Sequence, residues 1–158
     1  MSAELLNPSA PENLNTPENQ TAITQPERLV IVLNQDLPSG KAANAAAVLA
    51  MTLGQRHPEL IGEPLDIADG KSYPGLIPLG ISVLSASEQE LTNLMIDGGA
   101  KGCDVTIFPA DGQQTTHYLE FRQAVAIQTE QQLVLLGVAI AGDKKVVRKL
   151  VGKLKLFA

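Results

Sequence analysis

Short, nearly unbroken apolar runs alternate along this chain with small-residue or amphipathic stretches. Arg28-Leu29-Val30-Ile31-Val32-Leu33 is rich in β-branched residues and has no polar alternation. That pattern predicts a strand covered on both faces. Asn34 to Gly40 reads as the loop after it, and an alanine-dominated helix is predicted from about Ser39 to Gln55. Residues 56–75 hold Pro58, Pro64 and Pro74 and predict an irregular connection. Leu76 to Leu84 predicts a second strand, with Pro78 marking an edge or bulge. Ser87-Glu88-Gln89-Glu90 fits a capping box that opens a helix to about Gly98. Asp104 to Phe108 predicts a third strand, Thr115 to Ile127 a helix, and Leu133 to Ile140 a fourth strand. Val146, Val147, Leu150, Val151 and Leu154 then fall on one face of a closing helix whose other face is basic.

Strands alternating with helices predict an α/β domain: a three-layer α/β/α sandwich around a four-stranded mixed sheet, with 29–33 and 133–140 in its interior. Residues 1–26 are rich in Pro, Asn, Glu and Thr, show no apolar period, and are expected to be a disordered tail. The domain is expected to span 27–158.

Composition narrows the class. The length suits one domain, and with 3% aromatic residues and no Trp the core must be aliphatic. Cys103 is the lone cysteine, which excludes an internal disulfide and a thiolate zinc site and points to a reducing compartment. No basic-then-apolar leader and no apolar run of membrane-spanning length occur, so a cytoplasmic protein with no membrane partner is expected. The net charge of −5 argues against a general polyanion binder. Yet six of the 12 basic residues lie between Lys144 and Lys155, which leaves a local anionic partner, nucleic acid included, open at the closing helix. A homo-oligomer is equally compatible with the sequence.

Candidate chemistry gathers at the first strand-to-helix loop. A helix N-terminus offers free N–H groups and a partial positive charge, and Lys41 adds a full charge in the first turn. Asn34, Asp36, Gly40 and Asn44 flank it as candidate ligand-binding residues. The plainer reading is a turn in which Ser39 or Asp36 caps the helix and Lys41 is solvated. The glycine spacing is not that of a Walker loop. His57 and His117 have no ligand spacing around them and read as surface or locally bonded residues, and Cys103 reads as a small buried residue. No metal or cofactor is expected.

Asp36-Leu37 and Gly40-Lys41, followed by the small-residue helix, resemble the opening of type II peptidyl-tRNA hydrolases. Gly152-Lys153-Leu154-Lys155-Leu156 resembles that family's closing motif. The chain resembles more closely the bacterial proteins grouped as domain of unknown function 2000, whose Asn-x-Asp-Leu-Pro-x-Gly-x-Ala-Ala-Asn pattern runs here from Asn34 to Asn44. The resemblance implies a type II peptidyl-tRNA hydrolase-like fold and cleavage of an acyl ester or amide, such as a peptidyl- or aminoacyl-tRNA. It implies a catalytic role for Lys41. It also points to Asp111 and Thr115, in the local analogue Ala110 to Thr115 of that family's Asp-Ala-Gly-Arg-Thr loop. The family's helix Gln and His fall at Ala45 and Val48. The competing class is a non-catalytic small-molecule-binding or regulatory module on the same fold.

Overall fold

A computed structural model describes residues 25–158. Residues 1–24, most of the segment expected to be a disordered tail, lie outside the described residues. Pro26 is already buried, and the Glu27 amide donates to the Gly142 carbonyl at 3.0 Å.

The described residues form a mixed α/β domain with a five-stranded mixed sheet and four helices. The strands are β1 (Arg28–Asn34), the hairpin strands β2 (Leu65–Asp66) and β3 (Ser72–Tyr73), β4 (Ile81–Ala86), β5 (Asp104–Pro109), β6 (Leu135–Gly142) and β7 (Lys155–Leu156). The helices are α1 (Ser39–Arg56), α2 (Glu88–Ala100), α3 (Tyr118–Ala126) and α4 (Lys144–Val151). The main sheet runs β5-β6-β1-β4-β7. β1 pairs parallel to β4 and antiparallel to β6, which pairs antiparallel to β5. The C-terminal ends of β1, β4 and β5 therefore share one edge of the sheet.

β1 and β6 occupy the interior because their apolar runs meet protein on both faces. Leu29, Ile31 and Leu33 pack under α1 with Ala42, Ala45, Leu49 and Leu53. Val30 and Val32 face the opposite way, with Leu91 and Leu94 of α2 and Val147 and Val151 of α4. Each such Val, Leu or Ile side chain contributes about 1.5–3 kcal/mol on burial. α3 lies along the β5 edge, with Phe121 toward Phe108 on the α1 side and Val125 toward the α2–α4 side.

Five expectations need correction. The sheet has five strands, because two residues after α4 return to pair β7 with β4. The second strand starts at Ile81 and not Leu76; Pro78 has no N–H for a ladder, and 76–80 makes no ladder pair in the sheet. The helix expected from Thr115 starts at Tyr118, because Thr115 Oγ1 donates to the Asp111 carbonyl (3.1 Å) and closes the 3-10 turn at 110–113. The fourth strand is displaced to Leu135–Gly142. At α1 neither Ser39 nor Asp36 caps the helix. Pro38 is the N-cap residue, without a side-chain bond, and Asn34 Oδ1 accepts from the Asp36 amide at 2.9 Å to shape the loop. Ser87 and Glu90 do form the capping box of α2. No helix among the described residues is long and apolar enough to cross a membrane.

Candidate functional site

The main cleft lies between α1 and α3 over the exposed face of β5. Its geometry follows from two periodicities. Four helical residues advance about 6 Å and two strand residues about 6.6 Å. Val48, Thr52 and Arg56 on α1 thus keep step with Phe108, Thr106 and Asp104 on β5, which runs the opposite way. Val48, Thr52, Thr106 and Phe108 line the cleft, and Arg56 grips Asp104 beyond its end.

The loop after β5 supplies the third wall. The Ala110 amide donates to the Val134 carbonyl (2.8 Å), and Gln128 Nε2 donates to Asp111 Oδ1 (3.3 Å), which ties the loop to the end of α3. Gly112, Thr115, Thr116 and His117 then face the cleft, followed by Tyr118 and Phe121 from α3. The Tyr118 and Phe121 rings sit 5.8 Å apart at a tilt of 45°. The space is about 380 Å³. Its lining mixes aliphatic and aromatic residues with Thr52, Thr106, Thr115, Thr116 and His117. Two of those hydroxyls are engaged: Thr52 Oγ1 donates to the Val48 carbonyl (2.8 Å) and Thr115 Oγ1 to that of Asp111.

Of the residues singled out in the sequence, Thr115 lines this cleft. Asp111 lies one turn behind it, with its carboxylate on Gln128. Lys41 and Asn44 are exposed on the α1 stripe that leads to Val48, Lys41 about 10 Å beyond it by the helical rise. They overlook the same sheet edge as the 110–117 loop but do not line the cleft. Gly40 and Asp36 are exposed at the start of α1 and in the loop before it. No nucleophile–base pair within hydrogen-bond reach forms among Lys41, Asp111 and Thr115 in the described residues.

The end of the α1–β5 groove holds a cluster that the sequence does not announce. His57 is buried, its Nε2 2.7 Å from Asp104 Oδ2 and its Nδ1 3.3 Å from Glu59 Oε1. Arg56 Nε reaches both Asp104 oxygens, at 3.0 and 2.8 Å. Burial alone would raise the Asp104 pKa. Hydrogen bonds from Arg56 and His57 and their charges outweigh it and hold the carboxyl below its ordinary value. Cys103 points to the other face, among the α2–α4 core, where burial and then Asp143 push its thiol up against a smaller opposing effect of Lys101. No group of three or more His, Cys, Asp or Glu able to hold a metal occurs among the described residues.

A few signals point to the cleft. Tyr118 and Phe121 are two of five Tyr and Phe residues in the chain, and an aromatic pair three residues apart marks one helix face. The pairing of α1 with β5 across some 50 residues leaves no local trace.

No curated protein matches the chain. Among solved structures it is similar to a protein of unknown function, Atu0240, from Agrobacterium tumefaciens strain C58. The TM-score is 0.77 at 23% identity, over 83% of this chain and 97% of that one, a likeness of fold. The model of the family described as "Protein of unknown function (DUF2000)" matches residues 27–158, and the chain belongs to that family.

Proposed function

We propose that the α1–β5–α3 cleft binds a small amphipathic molecule, with an aromatic or acyl body and one polar or anionic head. The observation that carries this reading is a cleft of about 380 Å³ lined by Val48, Phe108, Tyr118 and Phe121 together with four threonines and His117. That combination is what small-molecule sites share. The body would pack on the rings, and the head would meet Thr52, Thr106 and Thr115. Lys41 and the uncapped α1 terminus lie farther along the same stripe and would draw an anionic head toward that rim.

A second reading keeps the same cleft and adds hydrolysis of an acyl ester or amide, the activity implied by the resemblance to type II peptidyl-tRNA hydrolases. One observation favours it: the loop after β5 presents Thr115 and His117 at the sheet edge where α1 begins with Lys41. A proton acceptor, a hydroxyl and a cation at one edge are the elements of acyl transfer. Against it, the Thr115 hydroxyl is engaged with the Asp111 carbonyl.

Val48→Trp is the direct test. Val48 is an exposed helical position, so the indole fills the cleft without entering the core. Octanoate and anilinonaphthalene sulfonate should bind the wild type and lose at least about tenfold in affinity in Val48→Trp, a change of roughly 1.4 kcal/mol, at unchanged thermal stability. Binding that survives the substitution would remove the cleft from the proposal. Turnover of p-nitrophenyl acyl esters or peptidyl-tRNA, lost in His117→Ala and Lys41→Ala, would select the hydrolytic reading.

A further inference from the structure

Between Leu60 and Ile77 the chain leaves the domain as an arm, and Ile77 and Leu79 return to pack against the core under α1. Its throat is fixed by the Gly62 amide, which donates to the Leu76 carbonyl at 2.9 Å. A Cβ on Gly62 would lie 2.8 Å from that carbonyl oxygen, and one on Gly75 would drive into the carbonyls of Gly62 and Glu63. The tip turns through Gly70 at φ +83°, with the Ile67 amide on the Lys71 carbonyl (3.0 Å) and the Lys71 amide on Asp69 Oδ1 (3.1 Å). Throat and tip are thus built, but no core lies beneath them. Two residue pairs join the strands, Leu65 to Tyr73 and Asp66 to Ser72, and all four residues are exposed. Ile61, Leu65, Ile67, Tyr73 and Leu76 stand in solvent, Leu76 at 72%. A bare two-stranded hairpin is marginal in water, so this one calls for a cover.

Charge points to what the cover is. The arm carries Glu63, Asp66 and Asp69 against Lys71, which already lies 3.5 Å from Asp69. The α4–β7 segment carries Lys144, Lys145, Arg148, Lys149, Lys153 and Lys155 against Asp143, whose carboxylate caps α4. None of those six cations has an ion-pair partner among the described residues. Beside them Leu156 is 70% exposed on the edge strand.

We infer that the arm of one copy lies on the α4–β7 face of a second copy, and that the reciprocal contact makes a two-fold dimer. Acidic groups meet the unpaired cations, and the apolar arm covers Leu156 and the lysine stems. One chain supplies both halves of the contact, so a two-fold pair covers both arms at once and closes. The dimer is independent of what the cleft binds.

Sedimentation of the full chain at several salt concentrations tests this. The wild type should be a dimer at low ionic strength and weaken as salt rises. Asp66→Lys with Asp69→Lys should give a monomer, and so should Arg148→Glu with Lys149→Glu. A chain carrying all four changes should regain dimer relative to either double variant, since the two reversed arm charges then meet the two reversed charges of α4. Tyr73→Ser, which leaves charge untouched, should weaken the dimer by about tenfold or more, the scale of a truncated interface aromatic. Circular dichroism would show each variant folded. A wild type that stays monomeric at high micromolar concentration overturns the inference. So does a dimer indifferent to both reversals, or a folded quadruple variant that stays monomeric. Loss of the dimer on deleting residues 1–24 also overturns it, and would assign the basic face to the acidic segment of Glu4, Glu12 and Glu18.

Discussion

Asp104 starts β5 under α1, where burial opposes its charge and Arg56 and His57 restore it. Because the folded carboxyl titrates below its ordinary value of 3.8, the ionised pair stabilises the fold fully above about pH 4. The stabilisation is lost as pH falls through the folded value. Asp104→Asn should therefore cost about 1–2 kcal/mol near neutrality. Most of that is the weakening of the bond to the buried His57 ring, whose partner changes from a charged carboxylate to a neutral amide oxygen, since Arg56 is largely solvated. The gap between wild type and variant should narrow as pH falls below about 4 in urea titrations. A gap that stays constant across that fall would mean the carboxyl is not held ionised by its neighbours. This cluster is hidden in the sequence, because His57 and Asp104 are joined only when the end of α1 meets the start of β5. Read alone, His57 is a histidine before a proline.

Helices and strands were legible where local signals are strong. β1 and β6 announce their interior places through unbroken apolar runs, and Ser87 with Glu90 announces α2. Ser87→Ala should cost about 1 kcal/mol in thermal unfolding, the usual value for a helix N-cap. A change below about 0.3 kcal/mol would mean that the α2 start is held by packing alone. β7 is illegible because two residues have no period, and its pairing is decided by the return of the chain after α4. The start of α3 is misjudged because Thr115 looks helical by spacing while its hydroxyl serves the turn before. The segment 61–75 reads as irregular because its proline and glycine punctuation hides a hairpin with two ladder pairs.

At the scale of the molecule, the cleft depends on a register between a helix and a strand some 50 residues apart in sequence. Thr115 was within reach only through the resemblance, which pointed to Ala110 to Thr115 as the analogue of a family loop. Thr52, Thr106 and Phe108 carry no such mark, since each is ordinary within its own element. Lys41 and Asn44 are legible as a helix terminus, and the structure puts them on the approach and not in the wall. The central claim is that this wall is the ligand site. Amide chemical-shift mapping with octanoate on the labelled protein tests it most directly. The predicted result is saturable shifts confined to Val48–Thr52, Thr106–Phe108 and Gly112–Phe121. Saturable shifts gathered at the 61–76 arm or on α4, with the cleft amides unmoved, would contradict it.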